Sequence, residues 1–335
     1  MFTKEQYLFP VLRRTAERLP FRQLRRVSQL PLIPLYHAVS EVPSPYVRHV
    51  GVWRSLQSFR EDLEFFLEHY EPVSLQELLN HKKTQKPPFY LTFDDGLIEC
   101  WKYVVPILKE AGLPASFFVN SAFVDNRELF FRFKASMLIH TVIEQAAAHT
   151  RYLDWAGHYQ IAHEAETYLK SIHYGERAKL DELAAVLEVD FDAMLSQRPC
   201  YMGTEMLRDL QGQGFHIGAH SIDHPRYDAL PVEEQLRQTL VSMDFVQKRF
   251  KPKVRAFAFP FTDYNIRKEF FAKLTASNDC DATFGCAGLK KERIRNHLQR
   301  VPMDENKLSA HANLSREYLY YLLKMPLGKN VFSRQ

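Results

Sequence analysis

The sequence predicts an α/β protein built as a (β/α) barrel, not necessarily a complete one, and three observations carry that prediction. Short apolar runs alternate with longer amphipathic ones along most of the 335 residues, the rhythm of parallel strands joined by right-handed helical crossovers. Six or seven such units can be counted, which suits a barrel better than an open sheet. No GxGxxG or GxxxxGK[ST] loop follows any strand, which argues against the doubly wound nucleotide-binding folds.

"LIPLYHA" (32–38) reads as the first strand. Ser58 with Glu61 three residues on predicts a capping box opening a helix over 58–70, and Ser74 with Glu77 repeats that signature. A strand over 89–93 follows, then a helix over 97–111 stopped by Gly112 and the strand "ASFFVN" (115–120). Later units pair a helix over 204–213 with "FHIGAH" (215–220), one over 232–250 with "VRAFAFP" (254–260), and one over 265–276 with "ATFGC" (282–286). A last strand near "LQRVP" (298–302) precedes a helix over 315–325. Residues 126–200 break the rhythm. They hold two long helical patterns, "ELFFRFKASMLIHTVIEQAAAH" and "GERAKLDELAAVLEVDFDAML", with no strand signal between. A stretch that long is an inserted helical subdomain rather than a loop, serving as a lid, a dimer surface or packing. The expected organisation is a basic helical segment over 1–30, a barrel over 31–125 and 201–303, the insertion over 126–200, and a C-terminal helix and tail over 304–335.

The net charge of +4 is concentrated at one end. Residues 1–30 hold seven Lys and Arg against Glu5 and Glu17, a balance of +5, so the rest sums to −1. A near-neutral body has no field suited to nucleic acid. The N-terminal segment mixes arginines with Leu, Phe and Val. It is expected to dock its apolar face on the domain, with peripheral contact with an anionic membrane as the second reading. No uninterrupted apolar core or small-residue cleavage site marks a secretory signal, and no apolar run approaches the ~18 residues that span a bilayer. The four cysteines lack CxxC spacing, so reduced thiols and a cytoplasmic location, with membrane association at most peripheral, are expected.

The chemistry concentrates at two strand ends. In "FYLTFDDGL" (89–97) two adjacent aspartates close an apolar run. On a continuing strand they would face opposite ways, but Gly96 lets the chain turn at once, so Asp94 and Asp95 can share one pocket. Alone, this reads as ordinary turn chemistry. In "GFHIGAHSIDHPRY" (214–227) His220 and His224 form an HxxxH pair, with Pro225 preventing a helix from starting at His224. Two imidazoles and a carboxylate make an open ligand set for Zn²⁺ or a similar divalent ion. In a barrel both motifs open on the same face, which turn chemistry does not explain.

These motifs, Thr92-Phe93-Asp94-Asp95-Gly96 and His220-Ser221-Ile222-Asp223-His224-Pro225, resemble those of the NodB-type polysaccharide deacetylases, carbohydrate esterase family four. The resemblance covers roughly residues 30–125 and 200–303 and implies a distorted (β/α)7 barrel. It implies Asp95, His220 and His224 as metal ligands, most naturally of Zn²⁺, Asp94 as general base, and Ser221 as a brace between the histidines. The third motif departs from the family pattern: Ala258-Phe259-Pro260-Phe261-Thr262 stands where an arginine normally opens the motif. The Phe261 backbone N–H keeps the oxyanion-binding position, and Arg300 is the expected substitute cation, since Arg255 should face the other side of its strand. Tyr36-His37 and the FAFPFT motif are similar to those of the exported poly-N-acetylglucosamine de-N-acetylases, which implies His37 as general acid, with His297 in reserve. The expected activity is metal-dependent removal of N-acetyl groups from a saccharide, whether polymer, oligosaccharide or lipid-linked glycan. An O-acetyl esterase, another amidase, or an inactive saccharide-binding protein are the alternatives.

Overall fold

The computed structural model describes residues 20–161, 164–304 and 307–334. Eight short strands form one sheet: β1 (Pro34–Tyr36), β2 (Leu91–Phe93), β3 (Ala115–Val119), β4 (His216–Ala219), β5 (Ala256–Ala258), β6 (Ala282–Gly285), β7 (His297–Gln299) and β8 (Val301–Pro302). Every pairing is parallel, in the order β7-β6-β5-β4-β3-β2-β1-β8. The two edges, β7 and β8, are consecutive in the chain and separated by Arg300 alone. Gln299 pairs with Gly285 of β6 on one side, and Val301 pairs with Pro34 of β1 on the other. The ring therefore closes through a single interrupted strand, giving the (β/α) barrel that the strand and helix rhythm predicts, in the distorted seven-stranded form that the family resemblance implies.

The strands are short and almost wholly buried, as expected where helices cover a parallel sheet on its outer side. Phe118, Phe284, Ile33, Tyr90, Ala256 and Ala258 belong to one small apolar cluster. Phe118 fits because β4 carries glycine beside it: a Cβ on Gly218 would lie 2.4 Å from the Phe118 ring. The larger core packs the outer faces of the strands against the helices Leu56–His69, Thr204–Gly212, Val232–Phe250, Lys268–Ser277 and Ala310–Lys324.

Several boundaries differ from expectation for local reasons. The helix expected over 58–70 is Leu56–His69, and its N-cap is Ser55, whose hydroxyl accepts from Ser58 N–H. The Ser74–Glu77 capping box forms as written, with both reciprocal bonds. The helix expected over 97–111 runs through a π-helical turn at Cys100–Val104 before Val105–Glu110. Pro106 has no N–H for the Lys102 carbonyl, and Val105 N–H bonds Cys100 O instead. The last helix starts at Ala310, capped by Ser309, earlier than position 315.

Residues 126–200 contain the helices Phe131–Glu144, Ala146–His158, Ala165–Ser171, Ala178–Val186 and Phe191–Gln197, and no strand among the described residues. They share a core of their own, joined by Ala38, Tyr46, Val47 and Leu97. The Asn126 side chain ties the two ends together by accepting from the Cys200 and Tyr201 amides at 2.8 and 2.9 Å.

Most of the basic N-terminal segment, residues 1–19, lies outside the described residues, and with it most of the docking and membrane readings. Within 20–30, Phe21 and Leu24 of the short helix Phe21–Arg25 are buried, and Phe21 packs on Phe65, Tyr70 and Tyr318. Among the described residues no helix is long and apolar enough to cross a membrane.

Candidate active site

The C-terminal ends of β2 and β4 bring their following residues together on one face of the barrel, the face where parallel barrels carry their sites. After β2, Asp94 N–H still bonds Tyr36 O at 2.9 Å, and then the chain turns through left-handed backbone at Asp95 (φ 66°) and Gly96 (φ 65°). Only glycine fits at 96: a Cβ there would stand 2.9 Å from Val119 Cγ1. The adjacent aspartates thus leave the strand's alternation, and both are buried.

After β4, His220 N–H completes the ladder to Val119 O at 2.9 Å, and the loop reverses through positive φ at Ser221 (71°) and His224 (61°). Ser221 Oγ accepts the His224 N–H at 3.0 Å, the bracing expected of it. Asn120, just past β3, donates to His220 O and to Ser221 Oγ; no sequence pattern marks this second brace. His220 Nδ1 lies 2.8 Å from Ala258 O. A carbonyl only accepts, so Nδ1 carries the proton and Nε2 keeps its lone pair for the pocket.

Asp95 Oδ1 lies 3.7 Å from His220 Nε2 and 3.4 Å from His224 Nε2, and one ligand atom from each of the three groups falls within 4.8 Å of the others. Asp95 Oδ1, His220 Nε2 and His224 Nδ1 are buried without a hydrogen-bond partner. Leaving such atoms unpaired is costly, and a divalent cation among them is the partner the first two lack. Burial pushes the Asp95 carboxyl up to about 7, opposed by His37 and reinforced by Asp94. Burial brings His220 down to about 4 and, with the fields of His220, His37 and Arg132, holds His224 well below the imidazole range. Neutral imidazoles are the form that binds metal. The donor set therefore fits a divalent ion with nitrogen and oxygen preference, Zn²⁺ among them.

Asp94 is set apart from Asp95 by its partner. Arg300, fully buried, donates from Nη1 to Asp94 Oδ1 at 2.6 Å, held by Nε on Gly285 O and Nη2 on Cys286 Sγ. Burial would raise the Asp94 carboxyl, but Arg300 and His220 outweigh it and hold it below its usual value. Arg255 instead pairs with Asp281 at 2.8 Å.

His37 follows β1. Its backbone N–H donates to Asp304 Oδ2 at 2.5 Å, and its Nδ1 lies 3.1 Å from the same oxygen. Burial opposes the imidazolium, yet Asp304, with help from Asp95 and Asp94, brings the group up to about 10. Asp304 lies just past β8 and escaped the sequence reading; its one signal is its place immediately after a strand end. His297, the reserve acid, is elsewhere. It faces the opposite side of its strand from Arg300 and bonds Asp263 at 3.0 Å and Thr283 at 2.7 Å. There Asp263, Glu292 and His297 lie together as possible ligands, but the Arg334 guanidinium bonds Asp263 and Glu292 and supplies the positive charge a metal would bring. Phe261 (φ 55°) lies at the turn after β5, its ring centroid 4.6 Å from that of His224. Among the described residues its N–H has no hydrogen-bond partner.

Fold and site together define a closed parallel barrel with an Asp-His-His donor set and a separately charged aspartate at its strand ends. The family described as polysaccharide deacetylase matches residues 81–278, more than half of the chain, and this protein belongs to that family. No curated protein matches its sequence. Among solved structures, the Streptococcus pyogenes deacetylase PplD in complex with acetate is similar at 15% identity and a TM-score of 0.54, covering 85% of this chain and 97% of that one. IcaB from Ammonifex degensii gives 14% and 0.53, over 87% and 97% of the two chains. A de-N-acetylase from Aggregatibacter actinomycetemcomitans gives 15% and 0.54, over 85% and 99%. At these identities the likeness is one of fold.

Proposed function

We propose that the protein is a metal-dependent hydrolase that removes N-acetyl groups from a saccharide. One observation carries the reading: two aspartates adjacent in sequence have opposite environments. Asp95 faces two neutral imidazoles with its Oδ1 unpaired, while Asp94 is pinned and charged by Arg300. Asp95, His220 and His224 would hold the ion, most naturally Zn²⁺. When bound, a divalent cation there supplies Lewis acidity to the acyl oxygen and to water.

The remaining roles belong to the chain. Asp94, ionised beside Arg300, accepts the proton of the attacking water. Its fixed partner keeps one oxygen occupied and leaves the other, Oδ2, 3.5 Å from His220 Nε2, on the pocket side. The Phe261 N–H, unpaired at its left-handed turn, donates to the developing oxyanion. His37, kept protonated by Asp304, gives its proton to the amine as the C–N bond breaks, so that nitrogen does not leave as an anion. A free amine and acetate are the products. Family membership supports deacetylation, and the His37–Asp304 pair favours an amide over an ester, because an alcohol leaves more readily without acid help.

The test is acetate release from N-acetylated and O-acetylated oligosaccharides by zinc-loaded protein. Asp94→Asn should abolish turnover while retaining the metal, and His224→Ala should lose both. An Asp94→Asn variant with near-normal turnover would remove the general base from the scheme. Faster release from O-acetyl sugars would favour an esterase.

A further inference from the structure

Beside the metal pocket a second cavity of about 430 Å³ opens between the segment 131–175 and the loop that follows His224. Phe131, Tyr174 and Leu230 give it apolar walls, and Arg132, Arg226 and His173 bring basic groups into it. Its connection to the site is direct in the chain. Arg226 lies two residues past His224, and the ring of Phe130, next to Phe131, packs against the His224 ring with centroids 4.4 Å apart and planes tilted by 54°.

The charges in this cavity do not balance. Asp228, its one carboxylate, is committed to Arg226 by two hydrogen bonds at 3.0 and 2.7 Å. Arg132 bonds the Lys170 backbone carbonyl, which orients it without neutralising it, and among the described residues it has no carboxylate partner. Burial, followed by the repulsion of Arg226, makes its charged form less favourable than that of a free guanidinium. Nearby, Arg177 lies over the Tyr174 ring at 4.0 Å, again with no carboxylate partner among the described residues. Of the two arginines that line the cavity, Arg226 has its acid in Asp228, so the Arg132 guanidinium is the cation left to recognise phosphate oxygens in the bidentate manner of its planar fork.

We infer that this cavity is a subsite for a phosphate group on the substrate, so that the N-acetylated sugar is recognised as a sugar phosphate, with Arg132 as the specificity-determining cation. The inference rests on the deacetylase reading for what the neighbouring site does, but the anion site is measurable without it. The phosphate could belong to a soluble sugar phosphate or to a polyprenyl-phosphate-linked sugar. The first is a phosphomonoester and the second a diester, but both present anionic phosphate oxygens beside the sugar to Arg132, and the assay separates them.

Acetate release is compared for N-acetylglucosamine 1-phosphate, polyprenyl-phosphate-linked N-acetylglucosamine in micelles, and neutral chitobiose, using zinc-loaded wild type, Arg132→Met and Arg132→Lys. In parallel, inorganic phosphate is titrated into each protein by calorimetry. The wild type should favour at least one phosphorylated substrate over chitobiose by roughly tenfold or more in kcat/KM, and which one identifies the source. Arg132→Met should erase most of that ratio through KM and weaken phosphate binding about tenfold, and Arg132→Lys should recover part of both. An unchanged ratio and unchanged phosphate affinity in Arg132→Met would overturn the subsite. So would equal losses on all substrates with a lowered Tm, which indicate a structural arginine. Arg132-dependent phosphate binding without acetate release from any substrate would leave the subsite standing and remove the deacetylase reading.

Discussion

Burial alone would leave His37 neutral, because a desolvated imidazolium loses its hydration; the Asp304 carboxylate at 3.1 Å reverses that sign and lifts the group to about 10. For a raised pKa, the proton is held, and the pair stabilises the fold fully, below the ordinary imidazole value of about 6.5. Both are lost as pH rises through the folded value. A divalent cation held by Asp95, His220 and His224 would oppose the proton and lower that value, with Asp304 still the group that raises it. Asp304→Asn should therefore move the alkaline limb of kcat down towards or below neutrality. At pH 8 kcat on an N-acetyl sugar should fall by ~10²-fold or more, the usual worth of a general acid, while an acetyl ester with a good leaving group should lose much less. An alkaline limb that stays in place would show that His37 is not the acid. The contrast with Asp94 explains what could be read in advance. Asp94, Asp95, His220 and His224 sit in short local motifs, so their neighbours in sequence announce them. Asp304 is 267 positions from His37, and nothing around it in the chain distinguishes it from a turn residue.

Elements follow the same division between local and distant causes. The Ser74–Glu77 box is legible because both of its bonds lie within one turn. Ser58 carries the same signature and is not a cap, because Ser55, three residues earlier, already fills that position and binds Ser58 N–H. Arg300 could be anticipated from its place at a strand end. That it is also the one residue separating the two halves of the closing strand depends on pairings at both edges of the sheet. The C-terminal segment was the least legible. Phe332 N–H bonds Lys291 O at 2.8 Å, and Arg334 reaches the buried Asp263, donating also to its backbone carbonyl at 2.8 Å. Burial would raise the Asp263 carboxyl, but His297 and Arg334 hold it well below the usual range. For a depressed pKa the stabilisation is present above the unfolded value and disappears as pH falls through the folded one. Arg334→Met leaves the buried Asp263 and the partly buried Glu292 without their guanidinium and should cost about 3–5 kcal/mol, read as a lower denaturation midpoint. Arg334→Lys should recover part of it. Because Asp263 stands two residues past Phe261, kcat should fall as well. A midpoint unchanged in Arg334→Met would show that His297 and Gln299 suffice for Asp263.

At the scale of the whole molecule, the donor set is assembled only by folding. Asp95 follows β2, His220 and His224 follow β4, and the segment 126–200, whose Phe130 packs against His224, lies between them in the chain. The unfolded chain keeps only the His220–His224 pair close together and leaves Asp95 far from it, so a metal bound by all three groups stabilises the native state. At a free concentration one hundred times Kd the gain is about 2.7 kcal/mol. The Asp95 and His220 atoms the ion satisfies are buried and otherwise unpaired, which lowers Kd and so raises the gain at a given free concentration. Stripping the wild type with a chelator should lower Tm, and Zn²⁺ should restore it. Asp94→Asn should keep this response, because Arg300 and not the metal is its partner. His224→Ala should lose it, leaving one Tm with or without Zn²⁺. The pH dependence gives a second check. Without metal, Asp95 is pushed up to about 7, so Zn²⁺ must displace a proton near neutrality, and its affinity should fall steeply below pH 7. A wild-type Tm indifferent to both chelator and Zn²⁺ would mean that Asp95, His220 and His224 hold no ion, and the hydrolytic scheme built on them would go with it.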